Sequence, residues 1–528
     1  MTMIKIKTSL AFICMISVLQ SFSQPYKVNW GTLQKKSGRL ISIIPRTGDD
    51  FFALRWTGGL LLGSVQLSKH DHLTLTATGK IVMKVENSMA SFEGVTCVDN
   101  HLMVFLSDKN EGKHLLYMQE YDENIEPKGQ ATKLGEYEIP KGRTKGSYDI
   151  IHSKDRQFFG VIWEYYDKGE DKSKYGFHIF DNEIATVSKG NYLLPYDPRD
   201  ASIYSHHLSN TGDYFISILE YSKSEEKKIF NKYLQYKAFH ITHVTPDDLE
   251  DFTLDLKGKR VEAMTMESDD DHIFTITGIY GEEKKTGITG VFYLRADFDK
   301  QEIIDRGFEE FKTDFITQDW SERQKERAEK RAASGRGGEP QLYNYQMREA
   351  NIMKDGSIVG SIEQYYVVTT TYRNPQTGAT NTTYTYYYND IIAFKVGVDG
   401  GFDWLKKIDK QQVSTNDNGA YSSYSRFIDN GKLCFIFNDN INNYDANGHF
   451  IQTDGIYSAN FSKRKNAVGI VALDLETGAI NRQTFFNAKE IEALVVPKLF
   501  ITDYTTKQLT LYAVYGKKEK FGTLNFKD

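Results

Sequence analysis

The chain has 528 residues, 26% of them charged and 13% aromatic, with 10 Pro and 3 Cys. So much aromatic surface needs a core and argues against disorder, while a formal charge of −6 argues against a general nucleic-acid binder. A mean hydropathy of −0.50, with no second long apolar run, excludes an integral bundle of membrane-spanning helices.

The first residues give an address. Lys5 and Lys7 form a basic stretch, residues 10–19 are an apolar run too short to span a bilayer, and Ser21-Phe22-Ser23 is a small-x-small cleavage site. Residues 1–23 therefore read as a secretory signal peptide, whose removal shifts the charge from −6 to −8 with the loss of two Lys. The mature protein, 24–528, is expected in the periplasm or outside the cell. Cys97 and Cys434, 337 residues apart, are expected to be free and buried rather than bridged.

From there a unit recurs, a polar turn followed by a short apolar run. The runs begin at Phe51, Leu102, Phe158, Tyr214, Ile273, Ile358, Leu433 and Leu509. Asp, Asn and Gly in the turns suit tight hairpins, and the β-branched and aromatic runs suit buried strands. The first four intervals are 51 to 59 residues and the last three 75 to 85, so the later units carry insertions. Most units also contain a later strand ending in an acidic turn, as at Asp122, Asp181, Asp297 and Asp474. Four-stranded antiparallel meanders follow. Eight arranged radially make an all-β, eight-bladed β-propeller, seven blades with an appendage being the alternative. The last unit is one strand short, and Tyr26–Trp30 is expected to complete it and close the ring.

One segment breaks the pattern. Residues 320–333 (WSERQKERAEKRAA) are helix formers with little apolar content, within an insertion placed at about 317–338. Glu326 and Lys330 have the spacing of an i,i+4 pair, and six basic residues face three acidic ones from Ser321 to Arg336. The segment reads as a solvated helix, with partner docking or an anionic surface as its functional alternative.

The densest polar and aromatic region runs from Tyr365 to Asp417. Clustered Tyr with amides and carboxylates suits a glycan or peptide platform, where rings stack and polar groups orient. The candidate binding residues are Tyr365, Tyr386, Tyr388, Asn389, Asp390 and Trp404, against a bland reading in which the tyrosines cover a large hairpin. Asn443, Asp445, Asn447 and Asp454 imitate the alternate oxygen ligands of a calcium loop. The histidines give no metal signature, since His206 and His207 point to opposite faces of a strand. No nucleophile elbow, zinc-protease helix or phosphate loop is present in the sequence.

The stretches Leu342–Tyr345, Gln364–Val367, Tyr386–Ile392, Trp404–Ile408 and Tyr421–Asp439 resemble a family of secreted proteins from Bacteroidota. That resemblance implies export and a propeller, and brings no catalytic residue. Val471 to Gly478 is similar to the Ala-x-Asp-x-x-Thr-Gly turn of quinoprotein-type propeller repeats, without the Trp that follows it there and without an adjacent Cys pair. This favours a scaffold over a dehydrogenase. The functional expectation is an exported, non-catalytic propeller that binds a protein partner or polymer at the cell envelope. The alternative is a carbohydrate-active hydrolase or lyase with its site at the channel mouth. The mature protein is expected to begin at Gln24, and intact-mass measurement of the exported product checks this; retention of residues 1–23 would remove the export reading.

Overall fold

The computed structural model describes residues 26–527, apart from 47, 59–62, 87, 111, 139–147, 168–171, 197–199, 222–235, 270–271, 283–286, 319, 335–339 and 452–454. Residues 1–23, expected to be a leader, and Asp454 lie outside the described residues.

Among the described residues the chain is mostly β, in eight antiparallel sheets of four or more strands, with one additional two-stranded ribbon. In chain order the sheets span residues 39–80, 91–138, 148–193, 201–254, 259–310, 345–415, 424–487 and 494–525, and are called sheets 1 to 8. Each apolar run picked out by the sequence is the second strand of a sheet, from Phe51–Thr57 in sheet 1 to Gln508–Tyr515 in sheet 8. The acidic turns also have a local cause. Asp181 Oδ1 accepts the backbone N–H groups of Glu183 and Ala185 at 3.0 and 2.8 Å, and Asp122 does the same for Asn124 and Glu126.

A run of consecutive apolar residues in a strand means that both faces are buried. In the strand Lys432–Asn440 of sheet 7, Leu433, Phe435 and Phe437 pack toward sheet 6, while Cys434 and Ile436 pack toward sheet 8. Met103 and Phe105 likewise face sheet 3, and Val104 and Leu106 face sheet 1. Every hydrophobic cluster draws on two sheets consecutive in sequence, except one that joins sheet 8 to sheet 1. Each fully buried Leu, Ile or Phe in these layers contributes roughly 1.5–3 kcal/mol, so no sheet is stable without its neighbours.

The chain ends meet in sheet 8. Asn29–Trp30 and Gln34–Lys35 both pair with Lys518–Asn525, and Tyr26 is buried between sheets 7 and 8. The chain entering sheet 8 forms two short strands, Leu494–Val495 and Ile501–Asp503, because the Pro497–Leu499 turn interrupts it. Between sheets 8 and 1, Arg55 donates to Glu519 at 2.7 Å, with both side chains at most 2% exposed, and Tyr512 donates to the same carboxylate oxygen. Cys97 and Cys434 are free and buried, in different sheets.

The single expected helix is two. Thr313–Thr317 is anchored by Ile316 in the layer between sheets 5 and 6; Glu322–Ala333 follows. The second begins with one half of a capping box, in which Gln324 Oε1 accepts the Ser321 N–H at 2.9 Å and its hydroxyl at 2.8 Å, while the Gln324 N–H bonds the Ser321 carbonyl at 2.8 Å. Glu326 and Lys330 form the pair their spacing suggested, at 3.6 Å.

Removing one member of a buried ion pair strands the other charge, which costs about 3–5 kcal/mol. Arg55→Met is expected to lose this much in urea denaturation, and Arg55→Met with Glu519→Leu to recover most of it. A loss below about 1 kcal/mol for the single variant would show that the pair does not hold sheets 8 and 1 together.

Candidate functional site

In a four-stranded meander, the links between second and third strands and the links between sheets emerge at the same end. Among the described residues, the longest excursions use these links. They are the helical stretch between Glu310 and Tyr345, the hairpin of Ile358–Arg373 and Thr380–Val396, the link 409–423, and the loop 441–465. The insertions inferred from the wide intervals are thus gathered at one end of sheets 5 to 7.

They enclose a cleft of about 930 Å3. The start of the second helix supplies Trp320, Glu322, Arg323 and Lys325; the hairpin supplies Asn389 and Asp390; the link supplies Asp409, Lys410 and Gln411. Gly455 and Ile456 close the remaining side. The helix and two of the candidate hairpin residues, singled out independently in the sequence, line one surface.

Beneath the cleft is a buried charge network that sequence reading missed. Glu363, fully buried, follows the apolar start of its strand. Its Oε1 lies 2.9 Å from the Lys410 ammonium; its Oε2 accepts from Arg348 at 2.9 and 2.6 Å and from the Ser423 hydroxyl at 2.7 Å. Lys410 also donates to the Tyr388 carbonyl at 2.9 Å. Burial pulls the Lys410 pKa down, and the Glu363 carboxylate opposes that fall. The only sequence signal was an acidic residue following a largely apolar run, which does not say where its cations come from.

The candidate residues divide. Tyr388 is buried, its ring 4.5 Å from that of Tyr365, and its hydroxyl accepts from Lys498 at 2.7 Å. The Arg348 guanidinium lies 5.9 Å from the Tyr365 ring. Tyr386 donates to Asn418 at 2.7 Å beside the hairpin, and Asn389 donates to Gln364 at 3.1 Å. Asp390 accepts the Lys410 backbone N–H at 3.2 Å and lies 3.5 Å from the Lys407 ammonium. Trp404 is elsewhere. It is 6% exposed between sheets 6 and 7, and its indole N–H donates to the Leu475 carbonyl at 3.1 Å. Gly478, at φ +67°, leaves room for that ring, since a Cβ there would sit 2.8 Å from it. An indole therefore does reach the 471–478 turn, from the preceding sheet rather than from downstream, and serves packing.

The calcium-like loop is built differently from its spacing. The Asn443 carboxamide donates to Asp439 at 2.7 Å and to the Tyr457 carbonyl at 2.9 Å, and accepts the Tyr457 N–H at 2.8 Å, leaving it engaged within the protein. Asp445 Oδ1 accepts the N–H groups of Asn447 and His449 in a turn. Among the described residues, no group of three or more His, Cys, Asp or Glu is placed to hold a metal ion.

Lys498 has the most distinctive chemistry near the network. Burial lowers its pKa to about 8, against the pull of Glu363, and Gly419 at φ +60° admits it beside Tyr388. Burial raises the Tyr388 pKa, so the phenol stays neutral while the amine titrates. Such a pair is able to hold or pass a proton near pH 8. A depressed amine pKa means the folded state binds fewer protons between about pH 8 and the ordinary lysine value. This group's contribution to stability therefore rises with pH across that window and is flat below it. The difference in stability between the protein and Lys498→Met, followed by denaturation from pH 6 to 10.5, is expected to show that rise. A difference independent of pH would contradict the buried-amine geometry.

No protein-family model matches the sequence, and the comparison with curated proteins gives no match. Among solved structures the chain is similar to an acylaminoacyl peptidase from Pyrococcus horikoshii, at 10% identity over 90% of this chain and 58% of that one, with a TM-score of 0.33. It is similar to the polysaccharide lyase Uly1 at 10% identity, over 97% and 94% of the two chains, with a TM-score of 0.35. It is also similar to the β-propeller domain of the trilobed protease from Pyrococcus furiosus at 12% identity, over 72% and 96%, with a TM-score of 0.31. The chain spans 54–59% of the length of the full-length peptidases it matches. At these TM-scores the likenesses carry no argument about activity.

Proposed function

We propose that this chain is an exported eight-bladed β-propeller, closed by pairing of its two ends, whose insertion-bearing end binds a protein partner or polymer at the cell envelope. The observation that carries the reading is the convergence of the inserted helix, the long hairpin and two links on one polar cleft. Apart from a few anchoring residues such as Ile316 and Leu342, the insertions lie outside the buried layers between sheets, and loops on a rigid scaffold are where binding residues concentrate.

The lining suits a polar chain-like ligand. Carboxylates, cations and amides alternate around Trp320, which supplies one stacking surface. Beyond the cleft the hairpin presents Tyr372 and Tyr384, 63% and 45% exposed, with Val367 and Val368 beside them. From Val367 to Arg373 its first strand pairs only with its own hairpin partner, which leaves an edge for an added strand.

The enzymatic alternative has one observation in its favour, three carboxylates, Glu322, Asp390 and Asp409, in a cleft with an indole. Against it, Asp390 is already held by Lys407 and by the Lys410 N–H, an arrangement for shape rather than for proton transfer. Capture from an envelope fraction is the test. Trp320→Ala with Tyr372→Ala and Tyr384→Ala is expected to cut recovery of the bound species at least tenfold, with the thermal melt unchanged. Undiminished capture, or turnover on a panel of anionic and neutral glycans, would overturn the binding reading.

A further inference from the structure

A second cavity, of about 570 Å3, opens between sheets 3 and 4, away from the helix and the hairpin. Its floor is aliphatic, with Ile151 and Ile162 from sheet 3 and Ile203 from sheet 4. Three tyrosines, Tyr175, Tyr196 and Tyr204, stand around it, and among the described residues its charged lining besides His206 is Asp149 and Glu164. No Lys or Arg lines it among the described residues.

Strand register explains why the two carboxylates share a wall. Asp149 lies opposite Ile162, and Glu164 is two residues further along the same strand, so both project from one face of sheet 3. Diagonal neighbours of this kind are about 7–8 Å apart, the width of a small cationic head. Glu164 in turn lies directly opposite Tyr175. His206 does not neutralise them: it stands 3.9 Å from Asp149, and burial holds its pKa below the usual imidazole range.

The aromatic walls are fixed in place. Tyr175 stacks on Tyr192 at 5.2 Å and 15°. The Tyr196 hydroxyl lies 3.3 Å from both His240 and Asp251, and the Tyr204 hydroxyl accepts the Met264 N–H at 3.0 Å. With the Tyr196 and Tyr204 hydroxyls engaged in sheets 4 and 5, their rings rather than their polar ends are left for a ligand.

We infer that this cavity is a binding site for an organic cation, an alkylammonium or the side chain of a lysine, with its head between Asp149 and Glu164 and its stem on the aliphatic floor. The chemistry favours this class over a sugar. A neutral saccharide brings no charge to meet the two carboxylates, and among the described residues the lining has no amide side chain or guanidinium to add further bonds to its hydroxyls. An alkylammonium needs anions and ring faces for its head and apolar surface for its stem, and the cavity has all of these. The site lies apart from the cleft between helix and hairpin, so it does not depend on how that cleft is used.

The test is calorimetric titration of the intact mature protein with n-butylammonium, with a short peptide bearing one lysine, with neutral n-butanol, and with a neutral oligosaccharide. Both amines are expected to bind and to weaken as salt is raised, and butanol to bind at least tenfold more weakly; whichever amine binds more tightly identifies the source of the cation. Asp149→Asn with Glu164→Gln is expected to reduce amine binding at least tenfold. Ser202→Trp, at an exposed position of the rim, is expected to block it while leaving the thermal melt unchanged. Equal binding of butanol, amine binding untouched by the charge-neutral variants, or binding of the oligosaccharide alone would overturn the inference.

Discussion

Every sheet in this protein is apolar on both faces, and a β-sheet is able to bury two faces only between two others. That constraint organises the rest. Alternate residues of each second strand enter different inter-sheet layers, so a strand such as Lys432–Asn440 holds sheets 6 and 8 together through its own side chains. A linear stack would leave its first and last sheets with one bare apolar face each. Here the layer of Leu40, Ile43, Phe51 and Ala53 against Tyr512, Val514 and Phe521 covers both. The buried Arg55–Glu519 pair lies in the same junction, where an unpaired charge would be costly.

The same meander that buries the sheets decides where the chain varies. Links between first and second strands and between third and fourth are short, and several are stapled by an Asp accepting backbone N–H groups. The opposite end receives every link between sheets, and with them the helices, the hairpin and the loop around Asn443. Polar surface therefore collects at one end without any strand changing its role. Below it, Glu363 binds Arg348, Lys410 and Ser423, three residues from the first strand of sheet 6 and from the link to sheet 7. The network fixes the base of the cleft and brings Lys498 of sheet 8 close to Tyr388 of sheet 6.

Much of the fold was legible because strand periodicity and turn chemistry are local. The eight apolar runs, the acidic turns, the helix-forming segment and the Glu326–Lys330 pair each follow from residues a few positions apart. The site was legible only in outline. Asn389 and Asp390 line the cleft, while Trp404, chemically a good stacking residue, is used to join sheets 6 and 7. Alternation along a strand says that Trp404 has a face, and says nothing of which sheet covers it. Asn443 shows the same limit, since its spacing suggests a ligand but its carboxamide is engaged by Asp439 and Tyr457.

By itself the sequence determined the kind of element and the places where extra chain was inserted, because these depend on neighbours within a few residues. Tertiary structure decided which charges meet. Glu363 and Lys410 are 47 positions apart, Arg55 and Glu519 are 464 apart, and Asp149 faces His206 across two sheets. Burial turns such encounters into strong constraints, because a charge removed from water needs a partner. No local pattern states where that partner lies, and only the packing of sheet on sheet supplies it.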